Sequence, residues 1–195
     1  EAEVTLREAL QRVIRPSTTR SPAALWAKSL LNALLFFGVF MVALPWLAHR
    51  LLPLEIPLGP IPRTWLAGAL GLAGLGAWIA CLDTFSRHGR GTPFPADAPS
   101  RLVTTGLFRY TRNPIMAAEL AIIWGEALYL ASLGPVLYAL LISLLAHVLV
   151  VHVEEPELAR RFGRDYAAYR RRVPRWLPRP WRTCRDGARS GGRRV

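Results

Sequence analysis

Lysine is almost missing from this 195-residue chain: of its 25 basic residues, 24 are arginine and Lys28 alone is lysine. Such a bias points to a GC-rich genome rather than to a function. Cysteine is equally scarce. Cys81 lies in an apolar run and Cys184 in an arginine-rich stretch, which supports neither a disulfide framework nor a metal-ligand spacing, so no metal is expected. The first residues lack the charged start, short apolar core and small-residue cleavage site of a signal peptide, and none is expected. Acidic residues number only 13, leaving a formal charge of +12 on a chain whose mean hydropathy is nonetheless positive. Charge and apolar bulk must therefore occupy separate regions.

The apolar bulk falls into four segments of the length that crosses a bilayer, about 20 residues each. They run from Leu25 to Ala48, Thr64 to Leu82, Pro114 to Ala131 and Pro135 to Val153. Pro45 is expected to kink or end the first. The second is rich in Gly and Ala, a composition that lets helices approach closely inside a membrane. The third and fourth are joined only by "SLGP", so they form an antiparallel helical hairpin. Basic residues number four in residues 1–22, two between the first and second segments, five between the second and third, and none in the last turn. Thirteen follow Val153. This asymmetry predicts that both termini and the middle loop are cytoplasmic.

The expected fold is all-α and integral to the membrane, with about four transmembrane helices, an N-terminal amphipathic helix and a C-terminal amphipathic cytoplasmic helix. "TLREALQRVI", Thr5 to Ile14, is the N-terminal one, lying on the membrane surface. The chain divides into that segment (1–22), the first two spans (23–82), a core holding loop, hairpin and amphipathic helix (83–178), and a basic, disordered tail (179–195).

Two stretches can carry chemistry. The loop Asp83 to Arg112 is dense in Gly and Pro and re-enters the membrane at "RNP". There Asn113 is positioned as an N-cap and Pro114 as the first helical residue. The exposed N–H groups and positive dipole of that helix start can receive an anion. The short hairpin returns the end of the fourth segment to the same side, so Arg112, Asn113 and Glu154 can meet at one mouth. His147, Val151 and Glu154 are spaced to share a helical face. Glu154 could take an ammonium and the helix start a carboxylate, which together accommodate a zwitterion. An Arg–Glu pair that merely closes the helix ends is the plainer alternative. Within the third segment Glu119 and Glu126 are seven residues apart, on one face, with Tyr129 beyond them. Ionisable groups in a membrane face a cavity or a partner: here either a lipid-accessible polar cavity, or an internal pairing with His147 or His152.

Together, "GLFRYTRNPIM", the hairpin and "EEPELARRFGRDYAAYRRRVPRWLP" resemble the integral-membrane methyltransferase superfamily of isoprenylcysteine carboxyl methyltransferases and phospholipid N-methyltransferases. The resemblance covers about Leu102 to Pro178. It implies S-adenosylmethionine as cofactor, with contacts from Arg101, Leu102, Val103, Gly106 and Phe108 of the loop, the last beside the adenine. Further implied contacts are Arg112 and Asn113 to Met116 (with Pro114 and Ile115), then Glu154 for the cofactor amino group, with Glu155 beside it. Asn-Pro and "EEP" resemble the phospholipid N-methyltransferases and many bacterial relatives. Val150 stands where the carboxyl methyltransferases carry an arginine associated with substrate. The expectation is a prokaryotic inner-membrane enzyme that methylates a lipid or other lipophilic acceptor drawn from the bilayer, amine favoured over prenylcysteine carboxylate or thiol. Glu119, Glu126 and His147 are the candidate bases. A non-catalytic membrane protein whose basic tail binds anionic lipid or a partner is the alternative. Specific nucleic-acid binding is not expected, because Tyr166, Tyr169, Trp176 and Trp181 among the last arginines sit at amphipathic or interfacial spacing.

Overall fold

The structure, a computed structural model, describes residues 27, 30, 31, 34–57, 59–89 and 101–177. The N-terminal segment with Thr5 to Ile14, the loop centre at 90–100 and the tail 179–195 lie outside the described residues. Among the described residues the chain is helical, with no strand and one isolated bridge between Glu55 and Ser132.

Helix α1 (Leu34–Leu51) runs through Pro45 rather than ending at it. The proline has no N–H to donate, and a π-helical turn at Val39–Ala43 precedes it, in which the Leu44 N–H reaches back to the Val39 carbonyl. That leaves the Phe40 carbonyl without a helical donor. The Tyr138 hydroxyl supplies one, donating to it at 2.6 Å.

Helix α2 (Pro60–Thr84) is longer at both ends than its apolar segment suggested and continues through a π turn at Phe85–Gly89. Helix α3 (Pro114–Leu130) and helix α4 (Leu133–Leu149) form the expected hairpin, but the turn is tighter than "SLGP". Only Ala131, in the left-handed conformation, and Ser132 separate them. A further π turn, Val150–Glu154, leads from α4 into helix α5 (Glu155–Arg172), which is broken at Gly163. Half of the 18 residues of α5 are charged, so it lies beyond the apolar stretch.

Three helices are long and apolar enough to cross a membrane: Leu34–Leu51, Pro60–Thr84 and the apolar part of the continuous run Leu133–Arg172. Four were expected. Helix α3 is apolar but has 17 residues, about 26 Å at 1.5 Å per residue, somewhat less than the roughly 30 Å of a hydrocarbon core. Many large apolar residues on the outer faces are exposed, among them Ile61, Trp65, Leu72, Leu141 and Leu144. Contiguous apolar surface of this kind belongs against lipid.

The two ends of the bundle differ in chemistry. At one end the α1–α2 connection is sewn to the hairpin turn. Ile56 N–H donates to the Ala131 carbonyl at 2.8 Å, Leu133 N–H to the Leu54 carbonyl at 2.9 Å, and the Ser132 hydroxyl to the Leu52 carbonyl at 3.1 Å. At the other end lie residues 101–113, the π turn and α5, with most of the described arginines.

Helices α2 and α3 pack antiparallel through small residues, as the Gly/Ala-rich composition predicted. A Cβ at Gly74 would lie 2.7 Å from the Ala118 carbonyl oxygen and 2.8 Å from Ile122 Cγ1, and one at Gly125 would lie 3.0 Å from the Ala67 carbonyl oxygen. This contact aligns the α3 glutamates with α2. Gly74→Val is therefore expected to destabilise the protein by about 1–3 kcal/mol through overpacking. Gly76→Ala, which meets open space, is expected to change little. Thermal unfolding of the two variants in detergent checks the difference.

Candidate active site

The centre of the arginine-rich end is a buried carboxylate, Glu155, at the start of α5. Arg175 donates to it twice, from Nε to Oε1 at 2.6 Å and from a terminal nitrogen to Oε2 at 3.0 Å. Arg112 pairs with the same Oε1 at 3.0 Å and also donates to the Tyr166 hydroxyl at 3.2 Å. Both members of the Arg112–Glu155 pair are more than nine-tenths buried. Burial alone would raise the Glu155 pKa. The hydrogen bond from Arg175 and the charges of Arg112, Arg175 and Arg170 outweigh it and hold the carboxyl below its ordinary value. Reciprocally, the hydrogen bond to Glu155 pushes Arg175 up.

The sequence motif before α3 completes this clasp. Arg112 N–H donates to the Pro174 carbonyl at 2.9 Å, and the Thr111 hydroxyl and Asn113 side-chain amide both donate to the Arg175 carbonyl, at 2.9 and 3.0 Å. Asn113 does stand at the N-cap position of α3, but its side chain makes no capping bond. It faces sideways, toward residues 174–175. Ala117 N–H closes on the Asn113 carbonyl at 3.0 Å. With Pro114 lacking an N–H, the first-turn donors left over are those of Ile115 and Met116.

Glu154 has the opposite fate. It was expected to meet Arg112, yet the arginine pairs with its neighbour, because the π turn changes the register between α4 and α5. Across a π turn residues i and i+5 align, so Val150 and Glu155 both face inward and are buried. The α-helical spacing that set His147, Val151 and Glu154 on one face does not carry through this turn. Glu154 is exposed and makes no hydrogen bond or ion pair among the described residues. His147 accepts a hydrogen bond from the Trp176 indole at 3.1 Å, with the two rings 6.1 Å apart.

On α3 the one-face reading of the glutamates holds, since this helix is regular. Both face α2. The Trp78 indole N–H donates to Glu119 at 3.2 Å, and Glu119 lies within electrostatic reach of Glu154. No hydrogen bond or ion pair joins Glu119 or Glu126 to His147 or His152 among the described residues. Glu126 borders a crevice of about 350 Å³ shared with Met41, Thr64, Gly68, Gly71 and Tyr129. One of its carboxylate oxygens is buried there without a partner among the described residues. A second hollow, about 630 Å³, lies between residues 101–109 and α5.

The remaining residues singled out from sequence divide between these surroundings. Arg101 and Leu102 border the larger hollow. Val103 and Phe108 are buried with Cys81, the Phe108 ring set edge-on to Phe85 at 5.2 Å, so that ring is already occupied by the core. Gly106 has φ +60° and sits where a Cβ would lie 2.8 Å from the Thr84 hydroxyl, so only glycine fits comfortably. Tyr169 donates to the Phe108 carbonyl at 2.6 Å. Ile115 packs against the Trp78 cluster, and Met116 is half-buried. Arg175, Tyr166 and Trp78 were given no role from sequence. Trp78 was detectable in principle, because an indole N–H inside an apolar span needs an acceptor.

The family described as phospholipid methyltransferase matches residues 63–165, from the start of α2 into α5. Phosphatidylethanolamine N-methyltransferases of Arthroderma benhamiae and Trichophyton verrucosum are each 31% identical over 133 residues, 60% of this chain. That of Talaromyces marneffei is 34% identical over 116 residues, 56% of this chain. The chain spans about 14% of the length of the first two relatives and 12% of the third. These relatives are fungal, so they lend no support to the prokaryotic membrane expected from sequence.

Replacing Glu155 by Gln leaves two guanidiniums around a neutral amide, and the expected loss is about 3–5 kcal/mol of stability. The native carboxyl is held below its unfolded value near 4.5. Its contribution is therefore complete above that pH and is lost as the pH falls through the lowered native value. Thermal unfolding across the acid range should show a wild-type advantage over Glu155→Gln that shrinks toward low pH.

Proposed function

The chain belongs to the phospholipid methyltransferase family, and from that premise we propose that it is a membrane methyltransferase that moves a methyl group from S-adenosylmethionine to the amine of a lipid. What supports this reading is a carboxylate, Glu154, with no hydrogen bond or ion pair among the described residues, and a start of α3 with no side-chain cap, both at the arginine-rich end. Those two features suit the ammonium and carboxylate of an amino-acid moiety. Glu154 would accept hydrogen bonds from the ammonium. The N–H groups of Ile115 and Met116, with the positive end of the α3 dipole behind them, would receive the carboxylate.

When bound, the donor supplies a methyl group on a positively charged sulfur. The chain's own task is positioning: holding nucleophile and methyl in line, away from water, accounts for most of the acceleration such a reaction needs. We assign Arg112, Asn113 and Glu155 to this positioning rather than to cofactor contact, since Arg112 and Glu155 bind one another and Arg112 and Asn113 also bind the backbone at residues 174–175. Arg101 and Leu102 border the larger hollow, and Val103, Gly106 and Phe108 pack against the end of α2.

An amine that is protonated in water must give up a proton before it attacks, because only the neutral form has a free lone pair. We assign Glu119 to that role, because the Trp78 indole fixes it and it faces the region of Glu154. His147 is held by Trp176, and Glu126 lies two turns deeper in α3. The crevice at Glu126 suits the acyl chain of an acceptor that approaches sideways from the bilayer. The absence of arginine at position 150, where Val150 is fully buried, also favours an amine over a prenylcysteine carboxylate.

In this reading α3 is the fourth crossing, its 17 residues completed by the interfacial residues at each end, and α5 is an amphipathic helix on the cytoplasmic surface. The arginine-rich end faces the cytoplasm, following the positive-inside rule. Both termini then lie on that side.

Glu154→Gln tests the proposal. Calorimetric titration of the detergent-solubilised protein with S-adenosylmethionine should show affinity reduced tenfold or more, as expected when a charge-assisted hydrogen bond worth about 1.5–3 kcal/mol is lost. Glu126→Gln should bind as tightly as wild type. Equal affinity in Glu154→Gln, or no binding by the wild-type protein, would overturn the assignment.

A further inference from the structure

The larger hollow, between residues 101–109 and α5, is separate from the zwitterion mouth: neither Glu154 nor any of residues 113–116 lines it. Among the described residues three guanidiniums do, those of Arg101, Arg109 and Arg172, against a single acid, Asp165. None of these four side chains forms an ion pair or hydrogen bond among the described residues. This contrasts with Glu155, which is paired with both Arg112 and Arg175. Three exposed guanidiniums bordering a hollow of about 630 Å³ suit a ligand that brings negative charge and several acceptor oxygens, and guanidinium geometry matches a phosphate.

The surroundings say where such a ligand comes from. The floor of the hollow is apolar, with Leu102, Phe162, Ala168 and Val173. Nearby, Tyr110 is 41% and Leu177 81% exposed, and α3 begins at Pro114, only five residues after Arg109. Exposed aromatic and apolar side chains next to the start of a membrane helix mark the headgroup level. We propose that this hollow is a binding site for the phosphate of a net-anionic phospholipid. The three positive charges and one negative charge favour an anionic headgroup over a zwitterionic one. The site would hold residues 101–109 and α5 against the membrane surface, and it needs only the membrane-edge position of this end, not methyl transfer.

The test uses the delipidated full chain in detergent, titrated with short-chain phosphatidylglycerol, phosphatidylcholine of equal chain length, or inorganic phosphate. Phosphatidylglycerol should bind at least tenfold more tightly than the other two, and the preference should fade as salt screens the charges. In Arg109→Gln/Arg172→Gln its affinity should fall roughly thirtyfold, about fivefold for each arginine at an anionic surface, with S-adenosylmethionine binding unchanged. Asp165→Asn, a milder change, should strengthen phosphatidylglycerol binding severalfold and serves if the double variant does not fold. Equal binding of phosphatidylcholine would overturn the proposal in favour of a zwitterionic headgroup site, and equal binding of inorganic phosphate in favour of a soluble anion. Unchanged phosphatidylglycerol affinity in either variant, or loss of S-adenosylmethionine binding in the double variant, would also overturn it.

Discussion

The arginine-rich end of this protein is organised by one buried carboxylate. Glu155 joins Arg112, which leads into α3, to Arg175, which follows α5. A buried ion pair by itself is weak evidence for stability, because removing charges from water is costly. Here the cost is offset by geometry: Arg175 binds through two nitrogens, Arg112 also reaches Tyr166, and the backbone at 174–175 receives three more hydrogen bonds from residues 111–113. The ion pair and the peptide clasp fix the same two segments. Without them, α5 would rely on the cluster of Tyr166, Tyr169 and Val173 and on the Tyr169 hydrogen bond to the Phe108 carbonyl.

Adjacent glutamates can serve such different purposes because of the π turn that ends α4. It turns Val150 and Glu155 inward together and leaves Glu154 on the outside, with no hydrogen bond or ion pair among the described residues. π turns occur often at functional sites, and this one separates a structural acid from an available one within a single peptide unit. The same device near Pro45 has a different use, releasing the Phe40 carbonyl for the Tyr138 hydroxyl.

Much of the architecture was legible in the sequence. A linker as short as "SLGP" between apolar segments admits little except an antiparallel hairpin, and the hairpin forces the motif at 108–116 and the end of α4 to one side. The shared face of Glu119 and Glu126 was also legible, because α3 keeps the regular helical period on which that reading depends. What failed was any inference that carried the same period across residues 150–154. Spacing could not say which of two neighbouring glutamates would meet Arg112, nor that Asn113 would turn toward Arg175 instead of capping its helix. The first outcome depends on where the π turn falls and the second on a contact between residues 62 positions apart, and local pattern carries no information about either. Arg175 itself looked like one more arginine in a basic stretch.

The chain therefore separates its tasks by depth. The clasp and the free carboxylate belong to the aqueous edge, and the α2–α3 contact presents Glu119 and Glu126 within the apolar layer, where a lipid can approach. The measurement that bears most directly on this account is to incubate membranes containing the protein with S-adenosylmethionine labelled on its methyl group and to follow the label. The account predicts label in a solvent-extractable lipid, on the nitrogen of its headgroup. Label confined to protein or to a small volatile product, with none in lipid, would contradict it.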